Sequence, residues 1–263
     1  MLTLYDGTTS VCAIKVRLVL AEKGLAFTSK TLDLRAGEQF EPEYLKLNPG
    51  AVVPTLIDDD YVVTESSIIQ CYLEDRFPEP TLLPESAQDR VRMRHWMKRI
   101  DVPTHPDCGV MTHATAFRAS FRTKTEAEQE AHFAAMPDLG RRDRQREVYE
   151  QGLDAPIVTG AVRRFDALLR DMDKALQTTM WLAGPNYSLA DAAATPYADR
   201  LAKLSLLELW CDSCPSLMKW YGRVRRRRSY RRAISDYFTE TDAAHLASIE
   251  DTAVEKVRSI LAA

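Results

Sequence analysis

The chain has 263 residues, long enough to bury a sizeable core, and its 45% hydrophobic and 28% charged content is that of an ordinary globular protein. A net charge of −3 gives no general pull toward nucleic acid, and no run of about 18 apolar residues offers a membrane span. Five scattered cysteines argue against a disulfide framework, and the opening "MLTLYDGTTSVC" lacks the basic and apolar regions of a signal peptide, so a reducing cytoplasm is the expected setting.

In chain order, "LTLYD" reads as a short strand that stops at the turn Asp6-Gly7. From Cys12 to Lys23 apolar residues recur at helical spacing, and Gly24 is placed to end that helix. "AFTSKTLDL" is a second strand, and "GEQFEPEYLKLNPG" a short helical piece closed by Asn48-Pro49-Gly50. "VVPTLIDDDYVVTES" reads as two strands joined at Asp58–Asp60. Ser66 to Phe77 is a helix that Pro78 and Pro80 shut off. The order β-α-β-α-β-β-α makes residues 1–80 a mixed α/β domain, and "FPEPTLLPES" its linker. Residues 87–263 have almost no strand patterning and are expected to be all helical, with helices over 87–102, 156–178, 188–210, 215–228 and 243–262. "DVPTHPDCGVMTHA" should bend or interrupt a helix at Pro103 and Pro106. The charged stretch 121–153, broken at Met136-Pro137, reads as two solvent-facing helices or a partly mobile excursion.

Three stretches carry chemistry. Ser10 and Cys12 lie where the first helix begins, so each could cap free amides or serve a thiolate stabilised by the helix dipole. Pro54, in a strand-like setting, cannot donate to a ladder. It marks either a sheet edge or a cis bond that turns the Val53 N–H and C=O outward to pair with an extended ligand. Glu65 and Ser66 sit where a strand hands over to a helix. There the free amides accept a carboxylate, while Glu65 suits an ammonium; a plain N-cap with a first-turn acid is the simpler alternative. All three fall at strand-to-helix junctions of one small α/β unit, the usual location of ligand sites in such layers.

With "LYDGTTSVCAIKVRLVLAEKGL", "NPGAVVPTLIDDDYVVTESSIIQCYLEDRFPE" and "MWLAGPNYSLADAAATPYADRL" the sequence resembles the cytosolic glutathione transferases over nearly its whole length. "SVCAIKVRL", "AVVPTL" and the charged insertion are similar to a bacterial branch with glutathione-dependent β-aryl etherases and the tetrachlorohydroquinone reductive dehalogenase. The resemblance implies a thioredoxin-like glutathione-binding domain, an all-helical domain holding the acceptor substrate, and a homodimer pairing one subunit's first domain with the other's second. It implies that Ser10 faces the glutathione sulfur and that Cys12 corresponds to the cysteine of the reductive dehalogenase. Val53 would pair with the cysteinyl unit beside a cis Pro54, Glu65 and Ser66 would hold the γ-glutamyl end, and Gln39 would contact the glycine carboxylate. Two departures stand out. Ala13 replaces a serine common after the Cys12 position, and Val52 replaces a basic residue, which either weakens the grip on the glycine carboxylate or shifts it toward Gln39 and Lys46.

Other motifs receive structural readings. Ser188 and Asp191 form a capping arrangement. "CDSC", Cys211 and Cys214, lacks two further ligands for zinc and reads as packing thiols. His105, Cys108 and His113 match no finger spacing, and no metal is expected. Seven arginines between Arg223 and Arg232 lack a reading-helix motif and interleaved aromatics, so a solvated helix end or a pairing with the acidic first domain or a partner subunit is expected, not specific nucleic-acid binding. Residues 1–80 carry −6 and the remainder +3, which is compatible with such pairing. Three functions follow: attack of the glutathione thiolate on a small hydrophobic, aromatic electrophile near Trp96, Met97, Thr112, Phe117 and Tyr197; reductive dehalogenation or thiol–disulfide chemistry through Cys12; or glutathione binding and scaffolding without turnover.

Overall fold

The first strand, β1 (Leu2–Asp6), buries Leu2, Leu4 and Asp6 and leaves Thr3 and Tyr5 half-covered, the alternation of a strand with one face on a core. This computed structural model describes residues 1–247 and 252–263. Helix α1 (Val11–Glu22) follows, buried along most of its surface. Gly24 ends it at φ 65°, and the Leu25 N–H reaches back to the Leu20 carbonyl at 2.9 Å, so the last turn closes through a left-handed residue as expected. Strand β2 (Thr28–Thr31), helix α2 (Pro42–Leu47), strands β3 (Thr55–Asp58) and β4 (Tyr61–Val63) and helix α3 (Ser66–Arg76) complete the α/β layer.

The four strands lie in the order β2-β1-β3-β4. β1 runs parallel to β2 and antiparallel to β3, and β4 returns antiparallel to β3 through a turn with Asp59 at φ 52°. Among the described residues the regular structure beyond these elements is helical, joined by turns and loops, with one isolated bridge between Trp181 and Gly184. An α/β N-terminal part followed by an all-α part is the architecture expected from the sequence.

The chain groups into two compact units. The first comprises Met1–Met97, Thr179–Pro196 and Tyr221–Thr239; the second comprises Lys98–Thr178, Tyr197–Trp220 and Glu240–Ala263. Within the first, α1 packs against α3 and against a short helix, Arg228–Ala233. The linker is tied down by a buried ion pair. Lys23 Nζ sits 2.7 Å from Glu74 and donates to the Phe77 and Pro80 carbonyls, while Glu74 accepts from the Thr81 hydroxyl and the Leu82 amide.

Two expectations about the helical part become more specific. The expected interruption near the prolines takes the form of a π-helical turn, Ile100–Thr104, between α4 (Ala87–Arg99) and α5 (His105–Thr112), which carries Pro106 in its first turn. Pro103 removes the N–H that would reach the Arg99 carbonyl, and the Thr104 hydroxyl donates to that oxygen instead, at 3.1 Å. A second π turn, His113–Phe117, leads into α6 (Arg118–Phe121).

The charged stretch does form two helices, α7 (Glu126–Ala134) and α8 (Leu139–Gln151), capped by Thr125 and Asp138. They are not simply solvent-facing. Phe133, Val148 and Tyr149 are buried, and Tyr149 stacks on Phe121 at 3.9 Å, so a few well-spaced apolar residues suffice to dock two charged helices. Helix α9 (Pro156–Leu176) shows the ordinary pattern, with Val158, Ala161, Val162, Phe165, Leu168, Leu169 and Met172 on its buried stripe.

Helix α10 (Leu189–Lys203) is shorter than the expected 188–210, and α11 (Pro215–Arg225) and α12 (Arg228–Ala233) divide the arginine run. The expected helix over 243–262 is represented by α13 (Glu240–Ala247) and α14 (Ala253–Ala262), with residues 248–251 outside those described. Among the described residues no helix is long and apolar enough to cross a membrane.

Candidate functional site

The sheet register decides where the three chemistry-bearing stretches meet. Tyr5 stands opposite Thr55, so the C-terminal end of β1 adjoins the N-terminal end of β3; Leu56 stands opposite Val63, so β4 ends there too. The loop to Ser10, the Val53-Pro54 peptide and the Glu65-Ser66 junction therefore emerge at one end of the sheet, all within the first unit.

Ser10 is the N-cap of α1: its Oγ accepts from the Ala13 amide at 3.3 Å. Because the oxygen is the acceptor, the hydroxyl keeps a hydrogen to give. Cys12 is half-buried in the first turn. The loop before Ser10 is gripped by Arg17, a buried residue the sequence reading had not singled out. Its guanidinium donates to Asp6 at 3.0 Å, to the Gly7 and Thr8 carbonyls and to the Ala233 carbonyl, and it lies 4.0 Å from the Tyr237 ring centre. At Gly7 an added Cβ would meet the Leu34 side chain at 2.7 Å, so a larger residue there would require Leu34 to shift.

The Val53–Pro54 peptide is cis, as the stretch "AVVPTL" led us to expect. Val53 lies just outside the strand pairing, which begins at Thr55. Tyr44, not picked out from sequence, and Asn48, read there only as the end of a helical piece, hold the preceding carbonyl. The Tyr44 hydroxyl donates to Val52 at 2.6 Å and the Asn48 amide at 2.9 Å, and both also bond the Thr55 hydroxyl. Burial raises the Tyr44 phenol above its ordinary pKa, so it remains a donor. The turn "NPG" was the one available hint to Asn48.

Glu65 is exposed and adopts φ 64°, ψ 111°, a conformation that a non-glycine residue rarely takes. Ser66, the first residue of α3, is buried. Beneath it lies the fully buried Lys15, whose Nζ donates to Ser66 Oγ at 3.0 Å and to Ser67 Oγ at 2.7 Å. Nothing in the apolar run "VCAIKVRLVL" marks this lysine as interior. Gln39 occupies a 3-10 turn, Glu38–Phe40, and is buried. Its Nε2 donates to the Leu34 carbonyl at 3.3 Å, while Oε1 is buried with no hydrogen-bond partner in the protein. Lys46 forms an exposed pair with Glu43 at 2.6 Å.

The remaining motifs take mostly local partners. Asp191 accepts from the Leu182 and Ser188 amides and the Ser188 hydroxyl, a buried cap. Cys211 is exposed and Cys214 buried, its thiol pKa raised by burial. His105 lies edge-on to Tyr197, whereas His113 bonds Tyr149 at 2.7 Å and Gln145 at 2.8 Å. Among the described residues no three His, Cys, Asp or Glu side chains converge as a metal site. Arg227 forms a two-pronged pair with Glu22 of α1, at 2.6 and 2.7 Å, and lies 4.1 Å from the Tyr187 ring centre. Part of the arginine run is thus bound to the acidic first segment, while Arg225, Arg226, Arg228, Arg231 and Arg232 are exposed. Trp96 and Met97 belong to the first unit, and Thr112, Phe117 and Tyr197 to the second.

Comparison with known proteins places the whole chain in one family. Residues 1–75 match the family model of the glutathione S-transferase N-terminal domain, and residues 115–228 that of the C-terminal domain. The chain is 32% identical to glutathione S-transferase TCHQD of Arabidopsis thaliana, over 89% of this chain and 90% of that protein. It is also 32% identical to the tetrachloro-p-hydroquinone reductive dehalogenase of Sphingobium chlorophenolicum, over 88% of this chain and 94% of that protein. Its structure resembles that of the β-etherase LigF from Sphingobium sp. strain SYK-6, with a TM-score of 0.81 and 27% identity over 90% of this chain and 98% of that one.

Proposed function

The chain belongs to the glutathione S-transferase family, and from that premise we propose that it binds glutathione at the end of the sheet in its first unit and directs the thiolate at a small, apolar, aromatic electrophile. The observation that carries this reading is the sheet register, which gathers Ser10, Val53 and Ser66 from three separated stretches at one end. The residues fit the tripeptide. Val53 offers backbone groups for the cysteinyl unit, Ser66 and the first amides of α3 suit the γ-glutamyl carboxylate, and Glu65 suits its ammonium. Gln39 Nε2 gives one of its two hydrogens to the Leu34 carbonyl and has a second for the glycine carboxylate, while its buried Oε1 is an acceptor still in need of a donor such as a peptide N–H of the ligand.

In this reading Ser10 donates its hydroxyl hydrogen to the glutathione sulfur, and the N-terminus of α1 favours the negative charge that develops there. The thiol proton leaves to solvent, the sulfur attacks carbon, and the leaving group departs with the bonding pair. The names of two relatives, a reductive dehalogenase and a β-etherase, support an aromatic acceptor bearing a halide or ether leaving group. A second reading rests on Cys12, half-exposed in the first turn of α1, where a thiolate is stabilised and could exchange with a glutathione mixed disulfide.

Paired substitutions separate the two. Ser10→Ala should lower conjugation of a chloronitrobenzene about 100-fold and move its pH dependence upward, with Cys12→Ser nearly unchanged. Loss of turnover and of a protein–glutathione adduct in Cys12→Ser alone would give the chemistry to the cysteine.

A further inference from the structure

The Lys15 ammonium, buried beneath the start of α3, sets the polarity of the two hydroxyls above it. An ammonium has three donors and no acceptor, so at 3.0 and 2.7 Å the oxygens of Ser66 and Ser67 must both accept. A serine hydroxyl left to itself can turn either way, offering hydrogen or lone pair according to what approaches. Ser66 has lost that choice. With Lys15 on its oxygen, its hydrogen is directed away from the lysine, and the cation polarises the O–H bond and strengthens its donation.

We propose that Lys15 is a positioning residue for anion binding at Ser66. It fixes the hydroxyl as a donor and adds a buried positive charge behind the first amides of α3, so that a ligand carboxylate is preferred there over a neutral group. The inference rests on the reading that glutathione binds with its γ-glutamyl carboxylate at this junction. Two further observations bear on it. Gln70, one turn along α3, donates to the Lys15 backbone carbonyl at 3.1 Å and so ties α1 to α3 at this level. Lys15 is itself fully buried, so bulk water does not screen its charge as it would a surface lysine's.

The test compares two ligands by titration calorimetry: glutathione, and 4-aminobutyryl-cysteinyl-glycine, which lacks only the γ-glutamyl α-carboxylate. The wild-type protein should prefer glutathione, and Lys15→Met should shrink that preference about tenfold. Lys15→Arg should restore most of it. Because both ligands are measured on one protein, a loss of folded protein cancels in the ratio; Lys15→Gln, which keeps a donor amide, replaces Lys15→Met if that variant does not fold. An undiminished preference, or an equal loss for both ligands, overturns the role of Lys15. A wild-type protein that binds neither ligand overturns the glutathione reading itself, and the inference with it.

Discussion

The first unit and the pair of charged helices α7 and α8 handle buried polar groups in opposite ways. In the first, the interior holds full charges: Arg17 against Asp6, Lys23 against Glu74, and Lys15 under two serines. In the second, charge is plentiful along α7 and α8 but lies mostly outside, and the polar groups among the aromatics are the neutral side chains of His113, Tyr149 and Gln145. Burial lowers the His113 pKa to about 3, with His132, Arg200 and Arg141 adding repulsion, and raises that of Tyr149, so both are uncharged at neutral pH. The difference follows from what each region must hold still. Interior charges with several donors and acceptors fix the loops around Ser10 and the linker in one geometry, whereas stacked rings dock a pair of helices with less directional demand.

The sharpest way to break this contrast is Lys23→Met. It leaves Glu74 buried without its cation and should cost about 3–5 kcal/mol, measured as the unfolding free energy in urea. The double variant Lys23→Met, Glu74→Gln should recover part of that loss; a single-variant cost below about 1 kcal/mol would mean the pair does not anchor the linker.

The next effect is on pH. The unfolded chain protonates His113 near its ordinary 6.5, whereas the folded chain resists until about 3. The folded pKa is the lower one, so the contribution is complete above about pH 6.5 and is lost as the pH falls through the window to about 3. The slope is at most ~1.4 kcal/mol per pH unit. His113→Gln should flatten it, leaving the smaller share of His132, which burial also lowers. An unchanged slope would mean that His113 is charged in the folded protein.

The smallest effect is expected from Glu130→Gln, which removes the pair with Arg146 on the exposed side of the charged helices. Its thermal midpoint should match that of the wild type, because solvent screens such a pair and holding two long side chains together offsets the attraction. A large fall would place these helices' stability in their charges and not in Phe121, Phe133 and Tyr149.

The local residues left Pro54 open between a sheet edge and a cis bond, and the family resemblance pointed to cis. The order of elements in the first domain, the Gly24 helix end, the turn at Asp59 and the Ser188–Asp191 cap were determined by sequence alone. Each depends on residues a few positions apart, whose propensities and donor counts act locally. The candidate site was legible for the same reason, since Ser10 and Ser66 begin helices and carry helix-start chemistry. The two charged helices were legible, but not Phe133, Val148 and Tyr149 as the residues that dock them, because periodicity weighs the many arginines and glutamates equally with the few apolar residues that do the packing.

Only the tertiary structure decided which helix faces meet. It set Lys15 under Ser66, Arg17 against the Ala233 carbonyl, and Arg227 against Glu22 across 205 residues. A lysine or arginine in an apolar helix reads as solvent-facing, because burying its charge is unfavourable until a partner from a distant segment supplies oxygens to receive its hydrogens. That compensation is a property of packing, and no spacing along the chain encodes it.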